Sequence, residues 1–353
     1  MENVLENWEP DEIDKEMEKQ IKQNWDAVAK PLDSMGSFEA LICRIGAILH
    51  TTEPDISKRA VIVCCGDNGV VEEGVSQSGQ EVTAKVTEGM GKNATSVGKM
   101  AEYAKAEVIA IDLGINSREK FAGVRDEKIS LGTKNFAKEP AMTKEQTMQA
   151  IAAGMAVVKE CKEKGCCLLG TGEMGIGNTT TSTAVTAALL QLQADKITGK
   201  GAGLSDKGLH RKQEVINNAL MKYDLYHQDP FTILATVGGY DLAGLTGVFL
   251  GGAKYHIPVI CDGVISLTAA LVAQRLKPGT AAYMIPSHGS NEPATAYLLQ
   301  ALHMEPVIQA HMALGEGTGT VMLMPLLDLA LCVYRQNRTF ADLKMDAYQR
   351  FEG

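Results

Sequence analysis

Two glycine-rich segments each carry a single glutamate. One is Gly172-Glu173-Met174-Gly175-Ile176-Gly177-Asn178-Thr179-Thr180-Thr181, and the other is Leu314-Gly315-Glu316-Gly317-Thr318-Gly319-Thr320. Glycine lets backbone N–H groups approach a ligand closely, and a following Asn/Thr run that opens a helix makes an anion cradle. A carboxylate between glycines is sterically open and able to accept a proton from a bound molecule. Together these features point to group transfer on a phosphorylated small molecule. Taken singly, each segment reads equally well as a tight turn before a helix, with its glutamate near the positive helix end. The glycines on both sides of Glu316 weigh against that simpler role.

Other candidates carry less chemistry. Gly175-Ile176-Gly177-Asn178-Thr179-Thr180 has threonine where a dinucleotide fingerprint needs its third glycine. Neither this run nor Gly199-Lys200-Gly201-Ala202-Gly203 ends in the Gly-Lys-Ser/Thr of a phosphate-binding P-loop. Lys212 follows Arg211 on a predicted helix, where a solvated lysine is the plain expectation. His288 lies in a Pro-Ser-His-Gly turn and stands alone. No Ser–His–Asp or Cys–His arrangement and no metal-ligand spacing is evident, so neither a metal nor a cofactor is expected.

The elements that would position these groups read as α/β. Ala60–Cys65, Val108–Leu113, Cys166–Gly170, Pro258–Asp262 and, more weakly, Ala282–Pro286 are short apolar runs of the kind found in doubly buried parallel strands. Helical stretches alternate with them at about 143–164, 179–193, 205–221, 240–255 and 292–303. The first of these opens on a Thr143–Gln146 capping box. Such alternation predicts a Rossmann-like parallel sheet with helices on both faces. The polar clusters Gly66-Asp67-Asn68, Thr171-Gly172-Glu173, Asp262-Gly263 and Ser287-His288-Gly289 each follow a strand, where ligands bind in open parallel sheets. Helices at about 10–28 and 37–50, and again after 320 with a Leu323, Leu326, Leu327 and Leu331 stripe, predict a small helical domain built from both chain ends. The expected division is 1–55, 56–320 and 321–353.

The chain has 353 residues and a net charge of −9, which argues against nucleic acid or anionic membrane as partner. The opening residues are acidic, no long apolar run is evident, and the eight cysteines mostly fall in apolar runs. A cytoplasmic protein with reduced thiols is expected.

In combination and in order, these segments resemble the nicotinate-nucleotide:dimethylbenzimidazole phosphoribosyltransferase family. The resemblance rests on Lys30-Pro31 with Ser34-Met35-Gly36, Gly66–Val70, Gln80–Thr83, Gly132–Ala137, Pro140–Thr143, Gly172–Thr180, Val237–Asp241, Asp262-Gly263, Ile285–His288 and Gly315–Gly319. It implies transfer of phosphoribose from nicotinate mononucleotide to an aromatic base, by a homodimer or a heterodimer with a paralogue. It implies Glu316 as general base, with Glu173 as a second catalytic carboxylate. It implies a phosphate site at Gly175, Ile176, Gly177, Asn178, Thr179 and Thr180 with Lys212. Gly201, Gly203, Ser287, Gln80, Asn68, Leu314 and Gly315 are the further expected substrate contacts. Three departures, Asn68 where the family has histidine, Leu32-Asp33 within the Lys30–Gly36 run, and Ser78-Gly79 before Gln80, predict an altered range of bases, phenols first. The alternative is a non-catalytic or regulatory paralogue subunit.

Overall fold

Alternate residues of one apolar run face opposite ways. Ala60, Ile62 and Cys64 join one hydrophobic cluster and Val61, Val63 and Cys65 another, and all six are buried. This is a strand covered on both faces. The computed structural model describes residues 4–351. Its main sheet comprises β1 (Arg59–Gly66), β2 (Glu107–Gly114), β3 (Arg125–Asp126), β4 (Leu168–Met174), β5 (Val259–Cys261) and β6 (Met284–Pro286). All neighbouring pairs are parallel, in the order β3-β2-β1-β4-β5-β6. A second parallel pair is β7 (His288–Ser290) with β8 (Ile308–Met312).

The order reverses between β1 and β4. Chain leaving one strand turns away from chain leaving the other, which opens a crevice at their carboxyl ends. Helices α1 (Lys15–Ala27), α2 (Ser37–Ile48), α3 (Glu81–Gly91) and α4 (Ser96–Tyr103) come from the first third of the chain. Then follow α5 (Lys144–Glu163), α6 (Asn178–Leu190), α7 (Ala194–Ile197), α8 (Asp206–Lys222) and α9 (Pro230–Val237). The last are α10 (Tyr240–Lys254), α11 (Val264–Leu276), α12 (Ala294–Ala301) and α13 (Thr318–Gln336). The expected Thr143 capping box is present at the start of α5.

The chain ends meet. Trp25 of α1 lies 5.0 Å from the Tyr334 ring of α13, and Ala29 N–H donates to the Arg338 carbonyl at 2.9 Å. Ile21, Trp25, Ile42 and Ile45 share one apolar cluster with Val61, Val63, Leu323 and Leu327. By length and mean hydropathy α13 is apolar enough to cross a membrane, but more than half of its apolar window is buried inside the protein. Its Asp328 forms a bidentate pair with the buried Arg59 at 2.7–2.8 Å. These contacts make α13 a core helix, and they fix the position of the loop in front of it.

Candidate active site

Strand β4 runs four residues further than the apolar run alone predicts, so Glu173 sits within the strand just before its end. The chain then turns through Gly175-Ile176-Gly177 into α6. Gly177 has φ +95°, and a Cβ there would lie 2.7 Å from Val71 Cγ2. No side chain caps the N-terminus of α6; Asn178 N–H and Thr180 N–H turn back to the Gly175 and Gly177 carbonyls at 3.0 and 2.9 Å, and the positive helix end lies at the crevice, whose wall Asn178 and Thr179 line.

Lys212, on α8, is wholly buried. Its Nζ donates to Thr179 Oγ1 at 2.9 Å and to the Gly199 carbonyl at 3.1 Å. Burial pushes its pKa down to about 8, with Glu292 opposing the shift. Glu292 accepts from Gly201 N–H at 3.1 Å and so holds the 199–203 loop in place.

The second glutamate arrives from β8 through a left-handed stretch. Gly315, Glu316 and Gly317 have φ +79°, +62° and +92°. Asp262, at the end of β5, accepts from Gly317 N–H at 3.0 Å and Gly319 N–H at 2.8 Å. A buried carboxylate thus anchors the N-terminus of α13. The two glutamate segments touch: a Cβ on Gly172 would lie 2.5 Å from the Glu316 carbonyl, and one on Gly315 would lie 2.7 Å from Glu173 Oε1. These glycines are what allow the two strand-end loops to close on each other.

The electrostatics are one-sided. Glu173 accepts from Asn178 Nδ2, yet its pKa is pushed up to about 8, first by burial and then by Asp241. Burial also raises the Glu316 carboxyl, against a hydrogen bond from Val97 N–H and with Asp262 adding to the rise. Glu316 Oε2 is buried without a partner. The cleft between these groups holds about 280 Å³, with Val82, Val86, Met174 and Ile176 on its apolar side. A smaller hollow of about 70 Å³ adjoins it across the Gly175–Thr179 turn, toward Lys200 and Gly203. The site therefore offers an anion cradle, one carboxyl, Glu173, that holds its proton near neutrality, a second carboxyl at Glu316, and an apolar slot for a flat ring.

A phosphoribosyltransferase family model matches residues 11–344. The nicotinate-nucleotide–dimethylbenzimidazole phosphoribosyltransferase of Acetivibrio thermocellus is 41% identical over 338 residues, 96% of each chain. That of Ruminiclostridium cellulolyticum is 41% identical over 341 residues, 97% of each chain. The chain belongs to this phosphoribosyltransferase family. A crystal structure of the Thermus thermophilus nicotinate-nucleotide–dimethylbenzimidazole phosphoribosyltransferase has the same fold, with TM-score 0.89 and 33% identity over 95% of this chain and 100% of that one.

Within this phosphoribosyltransferase, most expected positions converge. Glu173, Gly175, Ile176, Asn178, Thr179, Gly201, Leu314, Gly315 and Glu316 line the cleft. Gly177 and Gly203 line the adjoining hollow. Five positions, Lys212 among them, line neither space. Thr180 is buried within α6, and its hydroxyl has no partner. Ser287 is buried, with Oγ donating to the Cys261 carbonyl at 2.6 Å and lying 3.0 Å from His288 Nδ1. Asn68 is fully buried behind the Gly175–Gly177 turn, and its Nδ2 points at the Gly66 and Ile176 carbonyls, 3.5 Å from each. Gln80 donates to the Asn68 carbonyl at 3.2 Å and accepts from Asn116 Nδ2 at 2.8 Å. It lines a separate polar hollow of about 730 Å³. In this arrangement Asn68 and Gln80 brace the loop after β1, and neither lines the cleft between the two glutamates. Lys212 is also no surface lysine. Reading the sequence missed Glu292, which carried no signal, and Asp241, which stood only as a letter within Gly238-Gly239-Tyr240-Asp241.

Proposed function

We propose that this chain moves the 5-phosphoribosyl group from nicotinate mononucleotide to an aromatic base, releasing nicotinate and giving an α-ribotide for cobamide synthesis. The observation that carries the reading is the pairing, in one cleft, of an uncapped helix N-terminus backed by buried Lys212 with the open carboxylate of Glu316.

The nucleotide phosphate binds the N–H groups of the Gly175–Thr180 turn, and Lys212 supplies the charge. This non-reacting group fixes C1′ for attack. The bond from C1′ to the pyridinium nitrogen breaks, and its electron pair leaves with nicotinate. A ring nitrogen of the incoming base bonds C1′ from the opposite face, inverting β to α. The proton on the base's other nitrogen passes to Glu316. Positive charge grows on the ribosyl group as the bonds exchange, and an ionised Glu316 faces it. Glu173 orients the ribose. The apolar side formed by Val82, Val86, Met174 and Ile176 takes the flat base.

Residues 56–320 act as the catalytic α/β domain, with 1–55 and 321–353 as the helical unit that anchors α13. A dimer and a cytoplasmic setting complete the reading, the latter supported by eight unpaired cysteines. The test is to incubate the purified chain with nicotinate mononucleotide and a panel of benzimidazoles, purines and phenols, and to identify products by mass. Release of nicotinate with formation of a base ribotide supports the reading. No ribotide with any base refutes it.

A further inference from the structure

Behind the phosphate turn, two buried polar side chains border the same two glycines, Gly175 and Gly239. Asn68 and Asp241 are both wholly buried. Their ends are matched. A Cβ at Gly239 would lie 2.3 Å from Asn68 Oδ1 and 2.5 Å from Asp241 Oδ1, so those two oxygens border one point. A Cβ at Gly175 would lie 2.5 Å from Asp241 Oδ2 and 3.1 Å from Asn68 Nδ2, so those two atoms border another. Asn68 Oδ1 and Asp241 Oδ2 have no hydrogen-bond partner. Asp241 Oδ1 accepts from Leu242 N–H at 2.9 Å, and the Asn178 and Asn68 amides also lie against the carboxyl group.

Two buried acceptor oxygens that border the same glycine are unfavourable neighbours unless a donor reaches them. A proton on Asp241 resolves both vacancies at once. The acid O–H donates to Asn68 Oδ1, and Asn68 Nδ2 donates back to the other carboxyl oxygen, as in a carboxylic acid–amide pair. Glycine at 175 and 239 leaves room for this pair.

We propose that Asp241 is a positioning residue that carries a proton on the acid side of neutrality, paired with Asn68, and that this proton lets the turn above it accept a phosphate dianion. The proposal rests on the phosphoribosyl-transfer reading. An ionised Asp241 would put a negative charge directly beneath the Gly175–Asn178 turn, and Asn178 links it to Glu173, since its amide lies against both carboxyl groups. The titratable groups that face Asp241 are Glu173 on β4 and Cys64 and Cys65 on β1, none of them a cation. Burial, the dominant influence, accordingly pushes the Asp241 pKa up to about 7.

The test compares wild type with Asp241→Asn, which keeps the shape and the donor but cannot ionise. Infrared difference spectra of the two ligand-free proteins read the proton directly. Calorimetric titration with nicotinate mononucleotide reads its effect. The wild type should show a protonated-carboxyl band, absent from the variant, that fades as pH rises. Its nucleotide affinity should fall roughly tenfold relative to the variant between about pH 6 and pH 8. Asp241→Ala, which leaves Asn68 Oδ1 unpaired, should bind weakly at every pH. A missing carboxyl band near pH 6 overturns the proposal, as does the same pH dependence in wild type and Asp241→Asn. If the band is present but neither protein binds the nucleotide at any pH, the phosphoribosyl reading fails and takes the phosphate role with it, while the protonated pair stands.

Discussion

Replacing Lys212 with methionine tests the phosphate site most directly. Methionine keeps most of the buried stem and removes the ammonium. The charge is held in an unfavourable place: a pKa of about 8, against 10.5 for an unburied lysine, corresponds to roughly 3 kcal/mol against the charged form. Its protein partners are one hydroxyl and one carbonyl, with no carboxylate in direct contact. A bound phosphate would supply the missing counter-charge, and a hydrogen bond to a charged group is worth about 1.5–3 kcal/mol. Lys212→Met should therefore raise the Kd for nicotinate mononucleotide by roughly 10- to 150-fold. Free base should bind almost as before. The melting temperature should hold or rise, because an unpaired buried charge has gone. A second signature follows from the sign of the shift. Above about pH 8 the wild-type lysine is largely neutral, and phosphate restores its charge, so binding should take up a proton. Titrations in buffers of different ionisation heat would detect this uptake, and Lys212→Met should lack it. A variant that binds within twofold of wild type, or a wild type that takes up no proton at alkaline pH, would refute the assignment.

Further outcomes follow from the same geometry. Glu316→Gln should reduce turnover by roughly 10²-fold or more, the scale for losing a general base, while nucleotide affinity stays nearly constant by calorimetry. Because burial raises the folded-state pKa of Glu316, its ionised form destabilises the fold as pH rises through that range, so Glu316→Gln should melt at an equal or higher temperature near neutrality. For the same reason wild-type turnover should increase with pH above the ordinary carboxylate range, as rate measurements across pH would show. Gly177→Ala forces a side chain onto a left-handed residue 2.7 Å from Val71 and should cost about 1–2 kcal/mol in urea unfolding. Asn68→His should leave relative rates across benzimidazoles and phenols unchanged, since residue 68 does not reach the cleft. Val86→Phe should narrow the base range by filling the apolar side, which the same panel would reveal.

What the sequence made legible follows a physical line. The β1 run, the α5 capping box and the two glutamate–glycine segments are local signals, and each lies where its pattern implies. Convergence of loops on the carboxyl end of the sheet follows from the parallel topology that those runs encode. The resemblance named Lys212, but its burial escaped, because its neighbours Arg211 and Gln213 mark a solvated face whereas the loop that carries Gly199 folds over from elsewhere. Helix α11 escaped too: its Val264–Leu276 run is apolar all round, so it shows no helical period. Asp241 was invisible for a related reason. A carboxylate at the start of a helix is ordinary, and only the tertiary packing of β1 against α10 brings an amide to it.

The backbone at Glu316 bears on how such a sequence persists. A left-handed φ costs a residue with a side chain about 1–2 kcal/mol, and glycine bears none of that cost. Glu316 stands between two glycines in this geometry, so a change to glycine would relax the loop and favour the fold. Mutation offers that change readily, since glutamate and glycine codons differ by one base. A lineage in which this subunit served only as a scaffold would have nothing to hold the carboxylate in place against drift toward the more stable loop. The left-handed backbone at Glu316 is thus a cost that the loop bears while it places a carboxylate in the cleft.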